Sequence, residues 1–241
     1  MLSMAYGITS IWGSTIKEER HKSAEKPCEA CGFSERMRYT QPMRNETQQL
    51  AVEHLKHSDP KLRQVIEKVG ELHYEVEQDG FAFLVQVIIG QMLSAKAADT
   101  IYARLAARLE RDIDAARFSS LDEEQLRSLG IARRKAQTIL ALADMVAKNP
   151  SLLSSLASLG DKECLASLCR YKGIGPWTAK MYLMFVLDRE DILPLEDGAF
   201  LQTYHYLYGD ENIEARTSVW KPYRSLAARY LYRFLDLGYC S

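Results

Sequence analysis

Gly173-Ile174-Gly175-Pro176 and, further along the chain, the carboxylate of Asp197 are the residues whose types and spacing promise chemistry. Two glycines flanking one apolar residue let a backbone turn tightly and approach a ligand closely. Pro176 suits the first turn of the helix that leaves the turn, and the unpaired amides there sit at the positive end of its dipole. Such a helix start is a seat for a phosphate. The lone acid suits two jobs. Beside a gripped nucleic-acid backbone, Asp197 is an acid held nearby. Ahead of the apolar positions Phe200, Leu201 and Tyr204, it is a helix N-cap. The two roles are compatible. Glu196 is the neighbouring carboxylate and the lesser candidate.

An apolar helix must run into the glycine turn and a second must leave it, so about residues 161–188 read as a helix-hairpin-helix. Upstream, Asp59-Pro60 opens a helix through Leu62, Val65, Ile66 and Val69, closed by Gly70. Residues 81–89 are almost wholly apolar and predict a central buried helix. Gly90-Gln91-Met92-Leu93 interrupts it, and Ser94 caps a helix with Ala98, Ile101, Leu105 and Leu109 on one face. Ser120-Leu121-Asp122-Glu123 has capping-box spacing, and Gly130 ends that short helix. Ala136, Ile139, Leu140, Ala143 and Val146 mark another amphipathic helix, stopped at Asn149-Pro150. Residues 177–187 are apolar all round. Pro222 is expected in the first turn of a last helix with Leu226, Tyr230, Phe234 and Leu235 facing inward. Runs of alternating β-branched residues are missing, so the predicted fold is all-α.

With 31 basic and 32 acidic residues, the chain has no overall field that attracts nucleic acid. Such binding must come from backbone amides and a local basic face. Lys172, Lys180, Lys221 and Arg224 are candidates for that face. Arg133, Arg134 and Lys135 open a helix, the unfavourable end for positive charge, which hints at phosphate contact. The five cysteines are odd in number and scattered, which points to an intracellular chain with reduced thiols. No apolar run is long enough for a membrane span, and no secretory signal is expected. Residues 1–45 are rich in Ser, Lys, Glu and Gly and read as a poorly ordered N-terminal extension, with the helical domain over 46–241. Within the extension, Cys28, Cys31 and His21 fall short of the four ligands of a structural zinc site, so no metal site is expected.

Five segments occur in a telling order. They are the run from Phe83 to Ala98, Leu129-Gly-Ile-Ala-Arg-Arg-Lys-Ala136, Gly173-Ile-Gly-Pro-Trp-Thr-Ala-Lys180, Pro194-Leu-Glu-Asp197 and Trp220-Lys-Pro-Tyr-Arg-Ser225. Together they resemble the helix-hairpin-helix DNA glycosylase superfamily, and within it the DNA-3-methyladenine glycosylase II, AlkA-like branch. The resemblance spans roughly residues 59–236. It implies two helical subdomains flanking a cleft, and base excision repair by flipping the damaged nucleotide out of the duplex.

The resemblance also implies roles. Gly173, Ile174 and Gly175 offer amides to phosphates beside the lesion, with Thr178, Lys180 and Gln91 in the DNA-binding set. A monovalent cation bridges hairpin carbonyls and a phosphate in the family; no other cofactor is expected. Asp197 is the catalytic acid. Met92 is the wedge that fills the gap left by the flipped base, against the plainer reading of a core gap-filler. Gln91 touches DNA or caps a helix. Trp177, Met181 and Tyr232 line the base pocket, where aromatic faces favour electron-poor alkylated bases. Tyr232 matches a pocket tryptophan of the family, and Met181 stands where the family often has an aromatic. In relatives that also cut the backbone a lysine occupies the slot of Trp177, so a monofunctional, water-using enzyme is expected.

The resulting expectation is a monomeric hydrolase that releases 3-methyladenine and 7-methylguanine from damaged double-stranded DNA. Its expected place is the cytoplasm or nucleoid of a bacterium, or the nucleus of a eukaryote. The alternatives are a glycosylase for deaminated or oxidised purines, and a non-catalytic helix-hairpin-helix DNA-binding module.

Overall fold

The computed structural model describes residues 44–240; residues 1–43, with His21, Cys28 and Cys31, and residue 241 lie outside the described residues. All regular structure among the described residues is helical. In chain order the helices are α1 (Arg44–Ser58), α2 (Pro60–Val69), α3 (Gly80–Gly90), α4 (Ala95–Arg108), α5 (Glu123–Ser128) and α6 (Arg133–Lys148). They continue with α7 (Asp161–Cys169), α8 (Pro176–Phe185), α9 (Gly198–Tyr208), α10 (Ile213–Thr217) and α11 (Arg224–Asp236). Short 3₁₀ turns cover Ala115–Ser120, Ser154–Ser158 and Ser218–Trp220.

Two groups of helices pack among themselves. The ends of the chain make one lobe, α1, α2, α9, α10 and α11, and the middle makes the other, α3 to α8. α3 is the centre of the middle lobe: Phe81, Phe83, Leu84, Val85, Val87, Ile88 and Ile89 are all buried, as its uninterrupted apolar run requires. Polar straps join the lobes. Arg224 forks onto the Asp191 carboxylate at 2.6 and 2.9 Å. Arg229 lies 3.9 Å from the ring centre of Tyr74 and 4.4 Å from that of Phe185, and donates to the Met184 carbonyl. A nearly buried guanidinium is tolerable there because its charge meets ring faces and a backbone acceptor.

Local signals set most helix starts. Asp59, Asp79, Ser94, Asp122, Asp197 and Asn212 each accept a backbone N–H in the first turn of the helix they precede. Asp59 does more. Its Oδ1 takes the amides of Lys61 and Leu62, while Oδ2 takes Tyr208 Oη at 3.0 Å and Trp220 Nε1 at 2.9 Å, tying α2 to both ends of the terminal lobe.

Three expectations need correction. The capping box before α5 is formed by Asp122 with Gln125, not by Ser120 with Glu123. Ser120 closes the preceding 3₁₀ turn, donating to the Arg117 carbonyl. Pro222 lies outside α11, which begins at Arg224 after Tyr223. In α6 the buried face is Ala136, Ile139, Leu142 and Ala143, with Leu140 and Val146 only partly covered. No helix among the described residues is long and apolar enough to cross a membrane.

Candidate active site

α7, the turn at 170–175 and α8 form the helix-hairpin-helix. Its two glycines are glycines for different reasons. Gly173 has φ +90°, and a Cβ there would lie 2.2 Å from Thr138 Oγ1 on α6, so both backbone and packing demand it. Gly175 has φ −93° and ψ 179°, open to any residue, and a Cβ would meet nothing within 4 Å. The protein's own packing does not require glycine there. What an open N-cap glycine permits is close approach from outside. No side chain caps α8, and Pro176 occupies its first position. The amides of Trp177 and Thr178 fall in that first turn, where no intrahelical acceptor exists.

Ile174 contributes differently from the expectation. Its side chain is buried and its N–H donates to the Tyr171 carbonyl at 3.0 Å, so that amide is not available to a phosphate. The Thr178 hydroxyl is also internal, accepting from Gln91 Nε2 at 3.1 Å. Lys180 is paired with Glu196 at 2.9 and 2.7 Å. Lys172, Lys221 and Arg134 remain exposed, whereas Arg133 pairs with Glu123 and Arg224 with Asp191. The expected phosphate contact at Lys135 is corrected: its ammonium turns inward and donates to the carbonyls of Ile89 and Gln91 at 2.8 and 2.5 Å.

Met92 is 77% exposed at φ +57°, which removes the reading of a core gap-filler. Gln91 beside it donates to the Gly173 carbonyl at 3.2 Å as well as to Thr178. The Gln91–Met92 turn and the hairpin are therefore in direct contact.

Asp197 sits at the start of α9 and is wholly buried. Oδ1 accepts from the Phe200 amide at 2.8 Å and Oδ2 from Trp177 Nε1 at 2.7 Å. Burial pushes its carboxyl above the ordinary value, and the N–H groups of Phe200, Trp177 and Ala199, with the Tyr232 hydroxyl, draw it back. The Tyr232 hydroxyl is buried beside that carboxyl, and its burial first, then the charge and hydrogen bonding of Asp197, raise its pKa. Met181 and Tyr232 are buried and Trp177 half-buried, so Trp177 is the most accessible of the expected pocket residues. The large groove of about 630 Å³ lies aside from this centre, along Leu165, Lys180, Leu183, Ile192, Leu195 and Lys221. Asp197 thus caps a helix and places a buried carboxyl beside the hairpin, engaged and shielded in this conformation.

The turn also suits a monovalent cation. The carbonyls of Tyr171 and Gly173 each accept one hydrogen bond, from Ile174 N–H and Gln91 Nε2, and keep a second lone pair. Such a neutral donor set matches a singly charged ion. No group of three or more His, Cys, Asp or Glu among the described residues is arranged to hold a metal.

Comparison with known proteins assigns this architecture. Residues 85–225 match the HhH-GPD superfamily base excision DNA repair protein family, and the chain belongs to that family. It is 28% identical over 199 residues to an alkylbase DNA glycosidase-like protein of Schizosaccharomyces pombe, covering 78% of this chain and 93% of that one. A putative DNA-3-methyladenine glycosylase of Bacillus subtilis is 29% identical over 166 residues, covering 64% of this chain and 58% of the relative. The crystal structure of a DNA-3-methyladenine glycosidase from Bacillus halodurans superposes with a TM-score of 0.66 at 29% identity, covering 76% and 88% of the two chains.

Two contributors escaped the sequence reading. Thr138 and the inward role of Lys135 rest on contacts between segments far apart in sequence, and only the misplaced charge at the start of α6 gave any hint of the second.

Proposed function

We propose that this chain is a monofunctional DNA glycosylase that hydrolyses the N-glycosidic bond of alkylated purines, such as 3-methyladenine and 7-methylguanine, in duplex DNA. The observation that carries the reading is the buried Asp197 carboxylate, hydrogen-bonded to the first aromatic residue after the hairpin turn. Relatives named as 3-methyladenine glycosylases and an alkylbase glycosidase support the substrate class.

In this reading, the open helix start at Gly175 takes a backbone phosphate near the lesion, a contact blind to sequence. Main-chain carbonyls of Tyr171 and Gly173 would hold a monovalent cation, and its positive charge would favour phosphate binding at the hairpin. Met92 enters the duplex as the damaged nucleotide leaves it. The base comes to rest against Trp177 and Tyr232, whose π faces attract a cationic alkylated purine more than a neutral one. A base already carrying positive charge leaves with the bonding electron pair and needs no protonation. The bond from C1′ to nitrogen breaks, positive charge appears on the sugar, and the Asp197 carboxylate stabilises it. A water oxygen then bonds to C1′ and loses its proton, with Asp197 as acceptor, leaving an abasic site. No protein amine attacks. The enzyme acts as a monomer, in the compartment that holds the genome.

The test is mass analysis of bases freed from methylated, deaminated and oxidised duplex DNA, with the Asp197→Asn variant alongside. Release of methylated purines by the wild type only, with abasic-site binding kept in the variant, is the expected result. Release of hypoxanthine or oxidised purines alone would reassign the substrate, and full turnover by the variant would overturn the catalytic assignment.

A further inference from the structure

Lys135 stands in the first turn of α6, the end of a helix that disfavours positive charge. Its ammonium is withdrawn from water, and burial lowers its pKa. Both penalties are met by one contact. The ammonium donates to Ile89 O at 2.8 Å and to Gln91 O at 2.5 Å, at the negative end of α3. Those carbonyls lie just before Met92, which stands in solvent on the turn after α3 with φ +57°, a backbone region uncommon for residues other than glycine.

The same turn is held from its other side. Gln91 Nε2 donates to Gly173 O at 3.2 Å and Thr178 Oγ1 at 3.1 Å, joining it to the hairpin. One turn beyond Lys135 on α6, Thr138 fills the space against Gly173 that a Cβ would otherwise need. α6 thus touches both DNA-facing turns, Lys135 under the wedge and Thr138 behind the hairpin.

We propose that Lys135 is a positioning residue for base extrusion: it fixes the Gln91–Met92 turn, and through the Gln91 side chain holds the wedge in register with the phosphate-gripping hairpin. This inference rests on the reading of Met92 as the wedge. It makes Lys135 act through Met92, not on the DNA itself.

The test is a double-variant cycle read by stopped-flow fluorescence of 2-aminopurine beside the lesion, with affinity for undamaged duplex in parallel. Lys135→Met removes two charge-assisted hydrogen bonds while keeping the side chain's length, and extrusion is expected to slow by about tenfold or more. Undamaged duplex is bound within about twofold of wild type, since the hairpin phosphate contact is intact. Lys135→Arg recovers most of the rate. In a Met92→Ala background, already slow, Lys135→Met adds less than about twofold. A full further loss in that background would show that Lys135 acts independently of the wedge and would overturn the inference alone. A Met92→Ala variant that extrudes at the wild-type rate would overturn the wedge reading and the inference with it. If Lys135→Met does not fold, Gln91→Ala breaks the link at its other end and must show the same non-additivity with Met92→Ala.

Discussion

Trp177 and Asp197 meet across the junction of the two lobes: the indole N–H of α8 donates to Oδ2 at 2.7 Å, while Oδ1 takes the Phe200 amide of α9 at 2.8 Å. Each oxygen of one buried carboxylate is therefore held by a different lobe. Burial works against the charged form and the donors work for it, with burial the larger effect, so the carboxyl titrates above its usual range. The proposed mechanism uses Asp197 as the anion. Single-turnover base release should therefore fall as pH drops through that raised value. Trp177→Phe keeps an aromatic face but deletes a donor that favours ionisation, so the acid limb should move to higher pH. An unmoved limb in the variant would mean that another group controls it.

The hairpin glycines separate stability from binding. Gly173→Ala combines a positive φ with a Cβ 2.2 Å from Thr138 Oγ1, and should destabilise the fold by about 1–3 kcal/mol. Gly175→Ala meets no neighbour within 4 Å and should leave the melting temperature unchanged. Its methyl group would stand where a phosphate approaches, so abasic-site DNA should bind about tenfold more weakly. Thermal melts and titrations of the two variants decide the matter. Unimpaired binding by Gly175→Ala would remove the phosphate seat from α8.

The division between what the chain discloses and what it hides follows the range of each interaction. Asp59, Ser94 and Asp197 were legible as caps because a cap bonds an amide two or three residues away. Position 120 was misread because two capping patterns overlap there, and the 3₁₀ turn ending at Ser120 decides between them. The hairpin and its acid were legible through their types and order. Lys135 was not: three adjacent basic residues look alike in sequence, yet Arg133 pairs with Glu123, Arg134 stays exposed and Lys135 reaches another helix. Likewise Arg224 and Lys180 suggest a DNA-facing surface, but each has an acidic partner that packing alone supplies.

In the proposed reading, Trp177 separates hydrolysis from strand cleavage. An amine in that slot would displace the base at C1′, and breaking the bond from C1′ to the ring oxygen, which takes up a proton, would give an imine that borohydride reduces to a stable crosslink. The wild type should yield no such crosslink, and its product strand should break only after alkali. Trp177→Lys puts an amine next to Asp197 and should give a trapped complex on gel electrophoresis. Trapping by the wild type would contradict the monofunctional assignment.

Asp59 and Asp197 are both buried N-cap aspartates that accept an indole N–H, yet their replacement should have opposite consequences. Asp59 joins Trp220 and Tyr208 within the terminal lobe, and Tyr208 ends the helix that Asp197 begins. At 1.5 Å per residue the two carboxylates are separated by on the order of 15 Å along α9. Asp59→Asn retains the caps on Lys61 and Leu62 but turns an amide donor toward Trp220 Nε1, leaving a buried N–H without an acceptor. The loss is about 1–3 kcal/mol, or a few degrees in melting temperature for a chain of this size. Base release per folded molecule should be unchanged, because no group at the sugar has moved. Asp197→Asn loses the negative charge that the sugar cation needs, and should lower release by orders of magnitude while abasic-site DNA still binds. Melting curves and single-turnover rates on both variants separate the two roles. A large rate loss in Asp59→Asn under conditions where it is fully folded would show that the terminal lobe transmits its packing to the Asp197 carboxylate.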